Sequence, residues 1–323
     1  MLNMKNKSLV TLMDYSPREI ELLFKMALDL KAARYIGTEK KRLLGKNIVL
    51  LHEKDFKANI YEFEVAAYDQ GANISYIPVS EHHMIRKSSI RDISKVIGRI
   101  YDGAVIMGLK EEALNIINET SGIPTWNALS YEDNPIQVLA DFLTITENLD
   151  KPLKKIILSF VGNGNNKMTN ALMIGACKMG MEFRVVSPKA LWPKEELVMK
   201  CRKICEDTGG MILITDNIYK GVRDSDILYT DVWVPTNEIK EIDNELIGLL
   251  MPYQINMEMI KRTENENIRF MHCLPSFRNL NINSSLFEME VTDEVIDSNY
   301  SMMFDQAENK MHVIKSVLVA TLA

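Results

Sequence analysis

One stretch decides the fold: residues 45–72 read GKNIVLLHEKDFKANIYEFEVAAYDQGA. Its segment 46–51 is a short apolar run with β-branched residues, which is typical of a buried strand. From Asn59 onward, apolar side chains recur at helical spacing until Gly71, the glycine expected just beyond a helix end. The stretch therefore predicts a strand, a short loop and a helix. Backbone N–H groups and the positive helix end meet at such a corner, so it can cradle a phosphate.

The rest of the chain alternates between predicted strands and helices. In the second half, strands are predicted at 156–161, 183–186, 211–215, 227–229 and 268–271. This alternation predicts an α/β protein with a mainly parallel sheet in each half, flanked by helices. The tripeptide Asp150-Lys151-Pro152 marks the junction. We therefore expect two domains, 1–150 and 151–300, followed by a last helix within 301–323.

The composition argues against several classes of protein. A chain of 323 residues with 46% hydrophobic content is long enough for two domains, each with its own core. The net charge of -6 argues against a nucleic-acid partner. No apolar run approaches the roughly 20 residues of a membrane span, and the polar, basic segment 1–9 is unlike a signal peptide. The four cysteines are scattered and form no disulfide framework, so we expect a cytoplasmic protein.

Eight blocks are spread along nearly the whole chain, at 14–20, 63–72, 98–103, 139–144, 189–193, 228–234, 271–275 and 304–309. Together these blocks resemble the ornithine carbamoyltransferases, within the aspartate/ornithine carbamoyltransferase superfamily. The resemblance implies a carbamoyl phosphate-type first domain, on which the last helix packs, and an ornithine-type second domain that binds an amino acid. It also implies a homotrimer, in which a neighbouring subunit's loop completes a substrate cleft between the domains.

The phosphate corner departs from the family. The resemblance implies a Ser-Thr-Arg-Thr-Arg motif there, and this chain has instead Phe56, Lys57, Ala58, Asn59 and Ile60. Lys57 is a point charge on a flexible stem and does not replace arginine's planar fork of donors. Asp55 adds negative charge, and Asn59 with Glu62 has the spacing of a helix capping box. Whether these residues cap the helix or are simply solvated, they provide no grip on a phosphate.

Other positions of the implied carbamoyl phosphate site are changed as well. The arginine that would bridge phosphate and carbamoyl oxygen falls on Met107, and the histidine that would polarise the carbonyl falls on Asn134. A C-terminal arginine falls on Lys310, which keeps the charge. The implied glutamine remains, and the neighbour's loop has a histidine where the family has glutamine; these positions are Gln137 and His83.

The implied amino-acid site is altered less. Asp231 matches the aspartate that would hold the α-amino group of ornithine. Cys273 and the carbonyl of Leu274 match groups that would contact the acceptor's δ-nitrogen and the carbamoyl amine. The segment Pro235-Thr236-Asn237 replaces the family's Ser-Met-Gly and so loses a glycine hinge. Lys167 replaces an asparagine, and because a lysine can pair with a carboxylate, a more acidic acceptor stays open.

Three local patterns suggest other sites but favour plainer interpretations. Gly162-Asn163-Gly164 follows a strand like a dinucleotide loop, yet Lys167 stands at the third glycine position. Cys201 and Cys205 lie four apart on a predicted helix without nearby histidines, which favours packing. The pair His82-His83 has no partner ligands and favours a solvated loop. We therefore expect no metal and no cofactor.

The sequence leaves two hypotheses for function. The first is a carbamoyltransferase homologue with a dismantled carbamoyl phosphate site, for which binding of carbamoyl phosphate is doubtful and which binds an amino acid or a partner. The alternative is an active carbamoyltransferase with a rebuilt donor site, which converts carbamoyl phosphate and ornithine, or another amino acid, into citrulline or a carbamoyl amino acid plus phosphate. The cations available for such a site are Lys54, Lys57, Arg86, Lys87 and Lys310.

Overall fold

The computed structural model describes residues 3–53, 60–79, 89–233, 244–274 and 289–323. The chain forms two compact units. The first unit contains Met1–Leu143 and Glu308–Ala323, and the second unit contains Thr144–Ala307. The functional domain limits at 150 and 300 remain predictions.

The first unit is built on a 4-stranded parallel sheet. Its strands are β1 (Asn47–His52), β2 (Asn73–Pro78), β3 (Gly103–Met107) and β4 (Thr125–Leu129), in the order β2-β1-β3-β4. Every residue of the central strand β3 is buried, whereas β2, at the edge, is half-exposed. This difference is expected, because a central parallel strand is covered on both faces by helices.

Helices surround this sheet and bury its apolar face. They are α1 (Pro17–Tyr35), α2 (Ile60–Gln70), α3 (Ile90–Ile100), α4 (Glu111–Ser121), α5 (Pro135–Asn148) and α12 (Met303–Leu322). The chain passes from one unit to the other within α5, after Leu143, and within α12, after Ala307. Helix α1 starts with a capping box, in which Ser16 and Glu19 satisfy each other's backbone N–H groups. The buried side chains Val49, Ile106 and Leu114 belong to one hydrophobic cluster between sheet and helices.

The second unit is built on a 5-stranded parallel sheet. Its strands are β5 (Ile157–Val161), β6 (Glu182–Val186), β7 (Met211–Thr215), β8 (Ile227–Thr230) and β9 (Arg269–His272), in the order β7-β6-β5-β8-β9. Its helices are α6 (Lys167–Lys178), α7 (Glu195–Thr208), α8 (Ile218–Val222), α9 (Asn244–Leu250), α10 (Met257–Arg262) and α11 (Asp293–Ile296). Short 3-10 turns lie at Leu12–Asp14, Leu153–Lys155, Lys189–Leu191 and Met251–Tyr253.

The predicted fold class is confirmed, since both sheets are parallel and flanked by helices. The stretch 45–72 contains strand β1 and helix α2, and Gly71 follows the helix with a φ of +81°. A Cβ at Gly71 would lie 2.9 Å from a methyl carbon of Leu44, so both backbone and space require glycine there. Among the described residues, no helix combines the length and apolarity needed to cross a membrane.

Candidate active site

The carboxyl ends of β1, β3 and β4 form the edge of the first sheet where the carbamoyl phosphate positions were predicted. The corner residues Phe56, Lys57, Ala58 and Asn59, and the loop residue His83, lie outside the described residues. Met107 ends β3 and is buried, 2% exposed. Its backbone carbonyl accepts a hydrogen bond from the N–H of Glu53, which follows β1. The structure therefore places an apolar, buried side chain where the resemblance implies a guanidinium.

Two polar predicted residues lie at the start of α5. Asn134 is buried, and its backbone N–H donates to the carboxylate of Asp133 at 2.7 Å. Burial raises the pKa of Asp133 to about 6. Gln137 is buried one turn further on, and its Nε2 donates to Oδ1 of Asp141 at 2.8 Å. Both predicted residues thus belong to the first unit and point polar groups into its interior.

Lys310 and Glu62 form a buried ion pair in the first unit. Lys310 lies on α12 and Glu62 in the first turn of α2, and Nζ lies 2.9 Å from Oε2. Each side chain is about as buried as the other, with 7% and 6% of its surface exposed. Burial raises the pKa of Glu62, and the charge of Lys310 counteracts that rise. The cation that the sequence assigned to an anion is therefore paired with a carboxylate of its own unit.

The pairing of Lys310 with Glu62 was not predicted. Glu62 was interpreted as a partner of Asn59, which lies outside the described residues. Nothing local in the sequence connects Glu62 to Lys310, since the two residues come from opposite ends of the chain.

In the second unit, neighbouring strands β8 and β9 bring three predicted or adjacent side chains together. Asp231 follows β8, and His272 and Cys273 end and follow β9. The Sγ of Cys273 donates to Oδ1 of Asp231 at 3.0 Å. One ligand atom from each of the three residues lies within 4.8 Å of the others. The prediction that the protein holds no metal remains a prediction.

A fourth residue, Glu290, lies next to His272. His272 and Glu290 are both fully buried, and Nε2 lies 3.4 Å from Oε1. The other ring nitrogen, Nδ1, lies 2.6 Å from the carbonyl oxygen of Cys273, to which it can donate. Burial alone would lower the pKa of His272, but Glu290 and Asp231 raise it above its ordinary value. Asp231, His272, Cys273 and Glu290 are called the acceptor cluster below.

The other predicted residues of the amino-acid site are Lys167, Leu274, Pro235 and Thr236. Lys167 is the first residue of α6 and is half-buried, directly after the helix-capping Asn166. Leu274 packs against the hydrophobic core of the second unit. Pro235 and Thr236 lie outside the described residues. Glu290 was not predicted from the sequence as part of this site, and its position beside His272 in the structure identifies it.

The glycine-rich turn after β5 is filled by a tryptophan. Gly162 has a φ of +125°, and a Cβ there would lie 2.8 Å from Nε1 of Trp233. The indole of Trp233 is buried, 2% exposed, and it packs directly on this turn. A pyrophosphate needs the close approach of such a turn's backbone, so this contact favours a packing role for Gly162.

Family models match both halves of the chain. The carbamoyl-P binding domain of the aspartate/ornithine carbamoyltransferases matches residues 7–147, and their Asp/Orn binding domain matches residues 154–321. Together the two matches cover nearly the whole chain.

Curated proteins and solved structures agree with these matches. The chain is 48% identical over 330 residues to ornithine carbamoyltransferase 1, catabolic, of Streptococcus agalactiae and to ornithine carbamoyltransferase of Staphylococcus aureus, covering 100% of this chain and 99% of each relative. The structure of ornithine carbamoyltransferase from Pyrococcus furiosus matches with a TM-score of 0.91 at 29% identity, over 100% of this chain and 99% of that one. The structure from Gloeobacter violaceus matches with a TM-score of 0.84 at 29% identity, over 100% of both chains. The chain therefore belongs to the aspartate/ornithine carbamoyltransferase family.

Proposed function

We propose that the protein is a carbamoyltransferase that transfers the carbamoyl group of carbamoyl phosphate to an ornithine-like amino acid. The reaction joins the carbamoyl carbon to the acceptor's amine nitrogen and releases phosphate. The observation that carries this proposal is the hydrogen bond of 3.0 Å between Cys273 and Asp231 in the acceptor cluster. Two relatives that are 48% identical over the whole chain carry the name ornithine carbamoyltransferase, which supports the same reaction.

The acceptor cluster suits an amino acid with a free ammonium group. The Asp231 carboxylate is 5% exposed and accepts a hydrogen bond from Cys273, so it can also accept from an ammonium. His272 fixes the Cys273 carbonyl through Nδ1, and Glu290 fixes His272. In this proposal Asp231 and Cys273 contact the acceptor, whereas His272 and Glu290 position Cys273. Lys167, with Pro235 and Thr236, contributes the remaining contacts to the amino acid.

The donor side depends on a rebuilt anion site. Transfer of this kind rests on orienting two substrates and on stabilising the negative charge that develops on departing phosphate. Met107 supplies no charge for that purpose, so we assign the role to Lys310, whose ammonium must leave Glu62 or share it. Gln137, Asn134, Cys273 and Leu274 remain the candidates for the carbamoyl group, and Lys54, Lys57, Arg86 and Lys87 are the cations outside the described residues.

A second candidate function is a homologue that binds the amino acid and does not turn over carbamoyl phosphate. Two observations favour it: the buried charge of Lys310 is already paired with Glu62, and the side chain of Met107, at the end of β3, is apolar. An anion would have to compete with an internal carboxylate at short range. Under this candidate the acceptor cluster binds its ligand, and the first unit has only a structural part.

Product formation tests the proposal. Purified protein is incubated with carbamoyl phosphate and ornithine, and citrulline and phosphate are measured together. We expect both products in equal amounts and a loss of about 100-fold or more in kcat/KM for Asp231→Asn, because an unpaired ammonium in a buried site costs several kcal/mol. Asp207→Asn is the matched control, since Asp207 is exposed on α7 of the same unit.

The opposite outcome identifies the second candidate. If citrulline is absent while ornithine raises the melting temperature, the protein binds the acceptor without transfer, because a ligand of the folded state must stabilise it. If citrulline is absent and neither carbamoyl phosphate nor ornithine changes the melting temperature, both candidate functions fail.

Quaternary structure also belongs to this proposal. We propose a homotrimer in which the loop containing His83 reaches a neighbouring subunit. Sedimentation equilibrium of the purified protein measures the mass directly. A mass of one chain of 36.9 kDa would contradict it.

A further inference from the structure

A cleft of about 220 Å³ lies at the carboxyl edge of the first sheet, where β1 and β3 end. The two strands are neighbours in the order β2-β1-β3-β4, and β2 and β4 extend the sheet on opposite sides of them. In open α/β sheets, ligands bind outside the carboxyl ends of the strands at such a reversal of strand order. The residues that line the cleft include Glu53, Val79, Ile90, Leu109, Lys110 and Ala113.

The cleft is separate from the two sites already described. Among the described residues, neither the carbamoyl phosphate positions Met107, Asn134, Gln137 and Lys310 nor any member of the acceptor cluster lines it. A molecule bound in the cleft therefore contacts side chains to which no role has yet been given.

One wall of the cleft is apolar and continuous with the core. Leu109 is 3% exposed and belongs to the hydrophobic cluster of Val49, Ile106 and Leu114. The side chains that pack against this cluster include Val79, Ile90 and Ala113. A short apolar side chain placed on this wall loses its contact with water, which favours binding. Because clefts for drug-sized ligands occupy roughly 300–1,000 Å³, this one suits a smaller molecule.

Two other lining residues carry opposite charges. Glu53 follows β1, and its backbone N–H donates to the carbonyl oxygen of Met107 at 3.1 Å, which holds it beside β3. Lys110 lies directly before α4. The two charges do not pair with each other, and within the described ranges neither side chain forms a hydrogen bond or an ion pair.

This combination of charges selects the class of ligand. A phosphate or another simple anion would meet the carboxylate of Glu53, and a metal ion or polyamine would meet the ammonium of Lys110; each contact is repulsive. A zwitterion offers an ammonium to Glu53 and a carboxylate to Lys110, so both contacts become charge-assisted hydrogen bonds. An α-amino acid with a short apolar side chain also covers the wall at Leu109.

We propose that this cleft is a second amino-acid site, specific for a neutral α-amino acid with a short apolar side chain. Its ammonium binds Glu53, its carboxylate binds Lys110, and its side chain packs on Leu109. The first unit thereby binds an amino acid independently of the acceptor cluster. This site does not depend on carbamoyl transfer, so its test uses binding and no product.

Isothermal titration calorimetry of the full-length protein with L-valine tests the site. We expect binding of L-valine and at least about tenfold weaker binding of two analogues, because each loses one charge-assisted hydrogen bond. Valinamide lacks the carboxylate, and 3-methyl-2-oxobutanoate lacks the ammonium. No binding of L-valine, or equal binding of the three compounds, would overturn the proposal.

Hydrogen exchange of the unmodified protein locates the bound amino acid. Saturating L-valine should slow exchange of the amides within 108–113, because bound ligand suppresses local opening there. Slower exchange confined to 227–233 and 269–274 would place L-valine at the acceptor cluster and contradict the second site. This measurement needs no variant, so it does not depend on how a variant folds.

Charge variants assign the two contacts. Glu53→Gln and Lys110→Met should each weaken L-valine binding about tenfold or more. The matched controls are Glu112→Gln and Lys95→Met, at exposed positions of α4 and α3, which should bind as the unmodified protein does. Unchanged affinity in both cleft variants, or an equal loss in the controls, would refute the assignment.

Discussion

The charged residues of the two candidate sites, Asp231 in the second unit and Lys310 in the first, differ in their partners. In the second unit, Asp231 lies at the end of its strand and accepts a hydrogen bond from the thiol of Cys273. In the first unit, the buried cation Lys310 already has a full negative partner, Glu62, at 2.9 Å. The carboxylate of Asp231 therefore lies beside a thiol, whereas the ammonium of Lys310 is paired with a carboxylate of its own unit.

Two buried histidines show the same contrast. His272, in the second unit, faces Glu290 and Asp231, and its pKa is raised above its ordinary value. His312, in the first unit, has no hydrogen-bond partner among the described residues. Burial, together with the positive charges of Lys315 and Lys31, lowers the pKa of His312 to about 4. The two histidines therefore differ in their surroundings: His272 lies beside carboxylates, whereas the charges that lower the pKa of His312 are those of lysines.

The largest effect is expected from breaking the buried ion pair. Lys310→Met leaves the Glu62 carboxylate buried without a counter-charge, which costs about 3–5 kcal/mol in the free energy of unfolding. Urea denaturation measures this loss. Lys25→Met, at an exposed position of α1 in the same unit, is the control and should change stability by less than about 0.5 kcal/mol. Equal stabilities of the two variants would show that the pair is not desolvated.

The next effect concerns His312 and acidic pH. Its pKa is lowered on folding, so the unfolded chain binds the proton more tightly, and stability is lost as pH falls from 6.5 toward 4. The contribution is about 3 kcal/mol for this single group. The groups that face it are Lys315, Lys31, Glu308 and Arg34. Denaturation at several pH values should show this loss in the unmodified protein and a flatter profile in His312→Gln. Identical profiles would rule out His312 as its source.

His272 predicts the opposite dependence on pH. Because its pKa is raised on folding, the stability it contributes is fully present below 6.5 and is lost as pH rises through the raised value. Hydrogen exchange at the β9 amides measures local opening, so protection there should fall at alkaline pH. Glu290→Gln removes one of the two carboxylates that raise this pKa and should weaken that dependence. A wild-type response retained in this variant would contradict the ion-pair interpretation.

The smallest expected effect concerns an amino acid's own charge. Lys167→Asn should reduce the rise in melting temperature that an amino acid with a side-chain carboxylate produces, by removing its partner. The control ligand is ornithine, whose stabilisation should change less. Equal changes for both ligands would separate Lys167 from acceptor selectivity.

Local sequence patterns predicted the parts of the fold that depend on short-range order. The strand and helix around Gly71, and the five strands of the second sheet, follow from apolar periodicity and turn residues. The meeting of Asp231 and Cys273 follows from the resemblance and from parallel strands ending at one edge. The identity of the family was likewise predicted from its motif blocks and is confirmed.

Contacts between distant segments could not be predicted in this way. The pairs Glu62 with Lys310 and His272 with Glu290 each join residues from different elements. Periodicity shows which face of a helix is buried, but it does not show which distant side chain packs against that face. The hypothesis of a dismantled carbamoyl phosphate site depended on several substitutions read together, at 56–60, Met107, Asn134 and Lys310, and the named relatives favour the active alternative.

Phosphate affinity measured on Glu62→Gln tests the central claim most directly. If Lys310 is the anion-binding cation of the first unit, releasing it from Glu62 should strengthen phosphate binding about tenfold in isothermal titration calorimetry. Glu64→Gln, at an exposed position of the same helix, should bind phosphate as the unmodified protein does. An affinity in Glu62→Gln that is unchanged or weaker would contradict the role assigned to Lys310.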